Sequence, residues 1–447
     1  RAELEVEPPV AGGGGADAID GGAGTDTAVY TATLTTADVT ADGEGHWQVN
    51  GGAEGTDTLT GVEVIDHGGE ANILLVGNGG FATIQAAIDA AEAGDTIMIA
   101  AGTYDGFTVD VEGLTIVASG EVVIQGTLLS SLGVPEGTPL NDFFEANHPA
   151  YSAETGVTIA ADGVSISGLT FTGFSVAVDL GTSDGASLTG NTFVDNVTGI
   201  RKGTAADVTN LTVSGNTFSQ GIHGMTVYAA EDGSGAFDGV TMDGNSFSQM
   251  SEKGMYFEQL SNAAFSGNSF DDVGNYGRVA PPFGPAGQDG DFGGAIDINL
   301  KYEAYENVVF TDTTITNSGH SDQDGAGETS SFGAAVGVKI RDDGSYSATP
   351  ASFTGSITFD GLSIDGTSTG VRVGEPGKDN GGPDVTLSDV TIANATVVDL
   401  DNATDATDGG TTAVTLGATQ ADFDASASQA SVEVTGNALA NTIATGS

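Results

Sequence analysis

The sequence predicts an all-β chain wound as a parallel β-solenoid, and three observations carry that expectation. A short apolar strand recurs as SVAVDL at Ser175, TGIRKG at Thr198, HGMTVYA at His223, KGMYFEQ at Lys253, GAIDINLK at Gly294, VGVKIR at Val336, TGVRVG at Thr369 and VVDLD at Val397. Successive copies start 23 to 42 residues apart, an irregular period that suits rungs differing mainly in their loops. One turn also recurs, as GNTF at Gly190 and Gly215 and GNSF at Gly244 and Gly267, and 70 glycines against 11 prolines supply tight turns throughout.

Charge narrows the partners. Sixty-two acidic against ten basic residues give a net charge of −52, which excludes nucleic acid and anionic membrane over most of the surface. The same excess favours divalent cations and fits a halophilic or marine setting. No apolar run reaches the ~20 residues of a membrane span, so membrane insertion is not expected. The absence of cysteine is compatible with secretion. With no signal-like segment at Arg1, the chain reads as a processed or excised piece, or one exported by a C-terminal signal.

In chain order, Gly12 to Asp20 (GGGGADAID) and Gly21 to Val29 (GGAGTDTAV) are tandem nonapeptides of the form G-G-x-G-x-D-x-U-x. Glycines permit the tight turns, while Asp17 and Asp26 with turn carbonyls offer hard oxygen ligands to Ca²⁺. The alternative is a flexible Gly-rich linker. AVYTATL, HWQV and DTLTGVEVIDHG then read as a small β unit over residues 30–70, with Trp47 inside it and His46 and His67 as surface or turn residues. Next, Phe81, Ile84, Ile88 and Ala91 fall at helical spacing before TIMIAAG resumes a strand. An amphipathic helix there would cover apolar core that a solenoid end leaves in water.

This stretch resembles the N-terminal cap and first rung of secreted right-handed parallel β-helix proteins, the pectate-lyase-like class that includes polysaccharide lyases and mannuronan epimerases. The resemblance implies a right-handed parallel β-helix with an N-terminal amphipathic capping helix. Taken with residues 12–29 and the Asn-containing tail VEVTGNALANTIATGS, the chain also resembles a β-helical portion of a large secreted calcium-repeat (RTX-type) protein. The expected organisation is nonapeptides over 1–29, a β unit over 30–70, the β-helix over 71–435 and a repeat-like tail over 436–447. Long loops fall at 126–156, 273–293 and 317–333. The first, with Phe143, Phe144, His148 and Tyr151, reads as a lid, and the third holds His320 in an acidic stretch that reads as solvated.

Asn191, Asn216, Asn245 and Asn268 are expected to stack as an amide ladder, and Phe193, Phe218, Phe247 and Phe270 to stack inside. Aligning the recurring strands on their inward aliphatic residue places Asp179, Arg201, Thr226, Tyr256, Asp297, Lys339, Arg372 and Asp399 in one outward column. Tyr228, Glu258, Asn299 and Arg341 form a second column two residues on. Rungs lie ~4.8 Å apart, so both columns make a continuous stripe. Nine of the ten basic residues fall between 201 and 378. That concentration reads either as a cleft for an anionic polymer, with Tyr228 and Tyr256 facing sugar rings, or as neutralisation between rungs.

The ligand-binding candidates are therefore Arg201, Tyr228, Tyr256, Glu258, Asp297, Asn299, Lys339, Arg341 and Arg372. If the strip is catalytic, the resembled class implies β-elimination or C5-epimerisation of a uronan. Tyr256 or His223 would exchange protons and Lys253, Lys339 or Arg341 would neutralise the enolate. The epimerases' Asp-Pro-His motif is absent, and no site residue is carried over. The leading expectation is a secreted or cell-surface structural and adhesive segment that binds Ca²⁺ and an extracellular polysaccharide. Its alternatives are a uronan epimerase or lyase and a ligand-free, self-associating scaffold.

Overall fold

In the computed structural model, the described residues are 11, 13–147, 152–275, 293–319, 334–341, 350–374, 383–402, 412–416, 422–425 and 432–445. Short strands alternate an aliphatic or aromatic residue with Ser, Thr or Asp, so one face of each is apolar and the other hydrated. From Thr96 onward the described strands pair in parallel one rung apart, whereas Val39–Ala41 with Trp47–Asn50, Trp47–Asn50 with Thr56–Thr60, and Val64–His67 with Ile73–Val76 are antiparallel. Ser187–Thr189 lies beside Thr212–Ser214, and that strand beside Thr241–Asp243. Three such ladders run the length of the solenoid. One contains Ser187–Thr189, a second contains Thr192–Val194 and Thr217–Ser219, and the third contains Val176–Leu180, Thr198–Lys202, His223–Val227, Lys253–Phe257, Gly294–Leu300 and Val336–Ile340.

The interior is built by repetition. Phe171, Phe193, Phe218, Phe247 and Phe270 form one stack with ring centroids 5.1, 4.6, 4.5 and 4.8 Å apart, and Phe265, Phe310 and Phe359 form another. At the corner beside the first stack the amide ladder is present. Asn191 N–H donates to Asn216 Oδ1 at 2.8 Å, Asn216 N–H to Asn245 Oδ1 at 3.0 Å, and Asn245 N–H to Asn268 Oδ1 at 3.0 Å. The left-handed backbone at this turn belongs to the preceding glycines, Gly190, Gly215, Gly244 and Gly267, at φ of 62°, 62°, 61° and 59°. Asn thus serves the turn through its side chain, which satisfies two buried backbone groups of the preceding rung: Asn216 accepts from Asn191 N–H and donates to Leu188 O.

The segment Ile84–Ala90 forms helix α1, with Thr83 Oγ1 accepting from Ala86 N–H at its start. Ile84, Ala87 and Ile88 are buried in the main apolar core. Before it, Ala18–Asp20 pairs in parallel with Thr56–Thr60, and Thr27–Tyr30 with Val64–His67. The nonapeptides and the following β segment are therefore partners in the same ladders. Trp47 is fully buried in their shared core, and its Nε1–H donates to Gly77 O at 3.0 Å. His67, expected at the surface, is 4% exposed instead, because its Nδ1 accepts from Leu34 N–H at 3.0 Å.

The excursion after Gln125 contains α2 (Leu128–Leu132) and α3 (Leu140–Asn147). Leu128 and Leu140 bury against Val197 and Ile222 in a small separate core, and Leu140 N–H donates to Asp195 Oδ1. Its described part thus docks beside the N-terminal ends of strands Thr198–Lys202 and His223–Val227. His148, Tyr151, most of the 273–293 and 317–333 loops, and His320 lie outside the described residues.

Candidate functional site

The outward column follows the strand register. Asp179 stands beside Arg201, Arg201 beside Thr226, Thr226 beside Tyr256 and Tyr256 beside Asp297. Beyond Asp297 the expected order changes. Asp297 faces Gly337, Gly337 faces Arg372, and Arg372 faces Asp401 rather than Asp399. Lys339 pairs with Asn299 and so belongs to the second column, and Arg341 lies two residues further along the strand. The cause is the pleat: in VGVKI a shift of two residues keeps every apolar side chain inside, so the apolar pattern alone leaves both registers open. Towards the N-terminus the column continues as Thr158 and Thr108.

The charged side chains of the strip are tied to one another. Arg201 Nη2 bonds Asp179 Oδ2, and Lys253 Nζ lies 2.5 Å from Asp297 Oδ2 with Lys339 Nζ 3.7 Å from Asp297 Oδ1. Lys301 Nζ pairs with Glu258 Oε1, which also accepts from Tyr256 Oη at 2.7 Å, and Ala229 N–H donates to Glu258 Oε2 at 2.9 Å. Asn299 Nδ2 donates to Tyr256 Oη at 3.0 Å, and Arg341 Nε donates to Asn299 Oδ1 at 2.8 Å. His223 Nε2 sits 2.9 Å from Glu252 Oε2. Arg372 Nη2 donates to Thr369 Oγ1 at 3.0 Å.

Burial is deeper than a surface strip implies. His223, Glu258, Asp297, Asn299, Lys339 and Arg372 are all under 9% exposed. Tyr228, Tyr256, Lys253, Arg201 and Arg341 keep partial exposure. The two tyrosines meet edge to face at 6.0 Å, and Lys253 Nζ lies 4.1 Å over the Tyr256 ring.

Burial sets the titration of these groups. It pushes the Tyr256 phenol well above its ordinary range, and the charges of Glu258 and Asp297 push it further. For Asp297, burial works against ionisation, but Lys253, Lys339 and Arg341 outweigh it and hold the carboxyl low. Glu252 is likewise held low against burial by His223 and Lys253.

Three members of this network escape a sequence reading. Lys202 occupies an inward position level with Val227 and is fully buried, its Nζ bonded to Gln259 Oε1 and donating to Tyr228 O at 3.2 Å. Burial lowers its ammonium to about 8 despite the charges of Glu303, Asp207 and Glu258. Lys301 and Glu252 supply the counter-charges for Glu258 and His223. Lys301 ends the aligned copy GAIDINLK and Glu252 lies one step before KGMYFEQ, and neither falls in an outward column.

The N-terminal acidic residues have a different setting. Asp17 N–H donates to Asp57 Oδ1 at 2.9 Å and Asp26 N–H to Glu63 Oε2 at 2.8 Å, so each nonapeptide aspartate sits beside a carboxylate of the next rung. Asp17 Oδ2 and Asp26 Oδ2 are buried with no hydrogen-bond partner. Burial and the Asp26 charge raise the Glu63 carboxyl, against a hydrogen bond from Asp26 N–H. Among the described residues, no three His, Asp or Glu side chains gather at one point suited to a metal ion.

A family model described as periplasmic copper-binding protein (NosD) matches residues 108–281. Copper favours His, Cys and Met ligands. Within the matched span the chain has no cysteine, His223 is paired with Glu252, and Met225, Met242, Met250 and Met255 lie in the apolar core. The described residues therefore do not assemble a copper site. No match is found among curated proteins.

Similar solved structures include an alginate lyase from Paenibacillus sp. str. FPU-7, at 11% identity and TM-score 0.40 over 81% of this chain and 95% of that one. Pectate lyase Pel9A is similar at 13% identity and TM-score 0.40, over 71% and 72% of the two chains. A rhamnogalacturonan lyase is similar at 10% identity and TM-score 0.43, over 74% and 82%. Likeness at this level describes the course of the chain and carries nothing about activity.

Proposed function

We propose that the chain is a structural and adhesive β-helix segment, working outside the cytoplasm, that holds an acidic polysaccharide along the Arg201–Arg372 strip. The single observation behind this is the platform at its centre. Two partly exposed tyrosines stand edge to face, flanked by Lys253, Arg201 and Arg341, in a chain with ten Lys and Arg against 62 Asp and Glu. Aromatic faces take sugar rings and cations take carboxylates along a polymer. The pairing of the strip's cations with Asp179, Glu258 and Asp297 favours a fixed recognition surface over a chemically labile one. The word periplasmic in the matched family's description supports an extracytoplasmic setting.

The test is retention of alginate, pectate and glycosaminoglycan chains, with absorbance of unsaturated uronates followed in the same samples. Salt-sensitive binding that falls at least tenfold in Lys253→Ala, with no turnover, is the expected result. Absence of binding to every chain would remove the reading and leave the ligand-free scaffold.

One observation favours a uronan lyase or epimerase as the second reading. Tyr256 Oη lies between Glu258 Oε1 and Asn299 Nδ2, and its raised phenol is protonated at neutral pH, as a proton donor must be. New unsaturated ends or altered epimer ratios that vanish in Tyr256→Phe would establish it.

The same reading takes the fold as right-handed, the usual hand of parallel crossovers, with α1 closing its N-terminal end. It also takes Ca²⁺ at Asp17 and Asp26, as in a calcium-repeat context. No Lys or Arg occurs from residue 2 to 200, so the stacked pairs Asp17 with Asp57 and Asp26 with Glu63 have no protein cation near in sequence. Turn carbonyls would complete the ligand set. Millimolar Ca²⁺ should raise Tm by several degrees, EDTA should reverse it, and Asp26→Asn should abolish the response.

A further inference from the structure

The face that bears the strip continues towards the N-terminus, and there it becomes a walled groove of about 410 Å³. That size falls within the ~300–1,000 Å³ of small-ligand sites. Thr108 and Thr158 lie along it as the outward column, α1 brings Gln85 to one side, and Asp105, Gln125, Thr127, Glu154 and Thr155 complete the polar lining. The lining also includes bare backbone at Gly106 and Gly156, with Phe107 and Phe174 beside it. A Cβ on Gly106 would stand 2.1 Å from Gly156 O, and one on Gly156 would stand 2.7 Å from Ala177 O, so neither position admits a side chain.

Two wall residues are held in place. Gln85 Oε1 accepts from Thr108 N–H at 2.9 Å while its Nε2 donates to Asp89 Oδ1 at 2.9 Å, and Glu154 accepts from both Thr127 N–H and Thr127 Oγ1 at 2.9 Å. By contrast, the side chains of Asp105, Thr108, Gln125 and Thr158 make no hydrogen bond among the described residues. A pre-set frame with unspent donors and acceptors facing one space is the arrangement that a polar ligand needs.

The lining also selects the ligand's class. An anion would meet Asp105 and Glu154, while Arg201, two rungs from Thr158 along the column, is already bonded to Asp179. An apolar ligand would strip water from amides, hydroxyls and carboxylates without replacing its hydrogen bonds. A neutral polyol meets neither cost, because each hydroxyl donates to a carboxylate or amide oxygen and accepts from an amide or hydroxyl. We infer that this groove is a binding site for a short neutral saccharide. The inference goes beyond the acidic-polysaccharide reading and does not depend on it, since the groove and the strip share a face but no lining residue.

The experiment is calorimetric titration of the whole chain with cellotetraose, mannotetraose and laminaritetraose at 0.05 and 0.5 M NaCl. At least one should bind, with affinity changing less than twofold between the two salts. The double variant Gln125→Ala, Thr158→Val should lose at least tenfold in affinity while keeping the wild-type Tm, and Thr241→Val on another ladder should bind as wild type. Failure of all three saccharides to bind, or binding that survives the double variant, would overturn the inference. Alginate retention measured in parallel decides the strip separately: its loss with neutral binding intact removes only that reading.

Discussion

At the residue scale, the amide ladder ends where the chain changes composition. Thr313 stands where the next asparagine would be, and its buried Oγ1 has no hydrogen-bond partner among the described residues. Thr313→Asn should extend the ladder and raise stability by about 1 kcal/mol, whereas Asn245→Ala should cost about 1–3 kcal/mol by leaving Asn216 N–H and Val213 O, buried backbone groups of the preceding rung, unmet. Denaturant midpoints at constant m-value measure both. Lys202 gives a pH signature. Its folded ammonium is lowered to about 8, below the unfolded 10.5, so the unfolded chain binds more protons between those values. Stability should therefore carry a component that rises from about pH 8 to about pH 10.5, and Lys202→Met should remove that rise. The Asn and Phe ladders were legible because GNTF and GNSF repeat residue for residue. Lys202 was not, since a lysine at an inward position is offset by Gln259 and Tyr228 O, groups far off in sequence, as well as by the nearby Thr204 O.

At the element scale, the recurring strands were recognisable but their mutual offset was not. Alternation reads the same after a two-residue slip, which is why Lys339 moved to the second column and Asp401 replaced Asp399 beside Arg372. The order of the column changes accordingly beyond Asp297. The excursion shows a second limit. Nothing in LLSSL or LNDFFEAN names Val197 and Ile222 as its contacts, because docking of short helices is fixed by shape at a distance. That small core is separate from the main one, so Leu140→Asp should release the excursion to limited proteolysis within 126–156 while shifting global Tm only slightly.

At the scale of the whole molecule, charge is distributed unevenly along the axis. Carboxylates crowd both ends, while nine of the ten Lys and Arg lie between residues 201 and 378, and Arg201, Lys253, Lys301 and Lys339 among them are engaged with acidic partners. Self-repulsion in a chain of net charge −52 should make Tm rise as NaCl goes from 0.01 to 0.5 M, and calorimetric scans measure it. Loss of strip pairs at the same salt should be minor by comparison, because the Lys253, Lys301 and Lys339 pairs are largely buried.

The direction of the backbone hydrogen bonds has a mechanical meaning. In parallel ladders stacked rung on rung they run along the solenoid's length, so a load between the two ends falls on one inter-rung seam at a time. Such an object yields like a zip, not a clasp: tension is never shared, and its strength is that of its weakest seam. The continuous phenylalanine and asparagine columns reinforce the seams between Phe171 and Phe270, so the part of the chain that leads into the strip is also the part a pulled thread would open last.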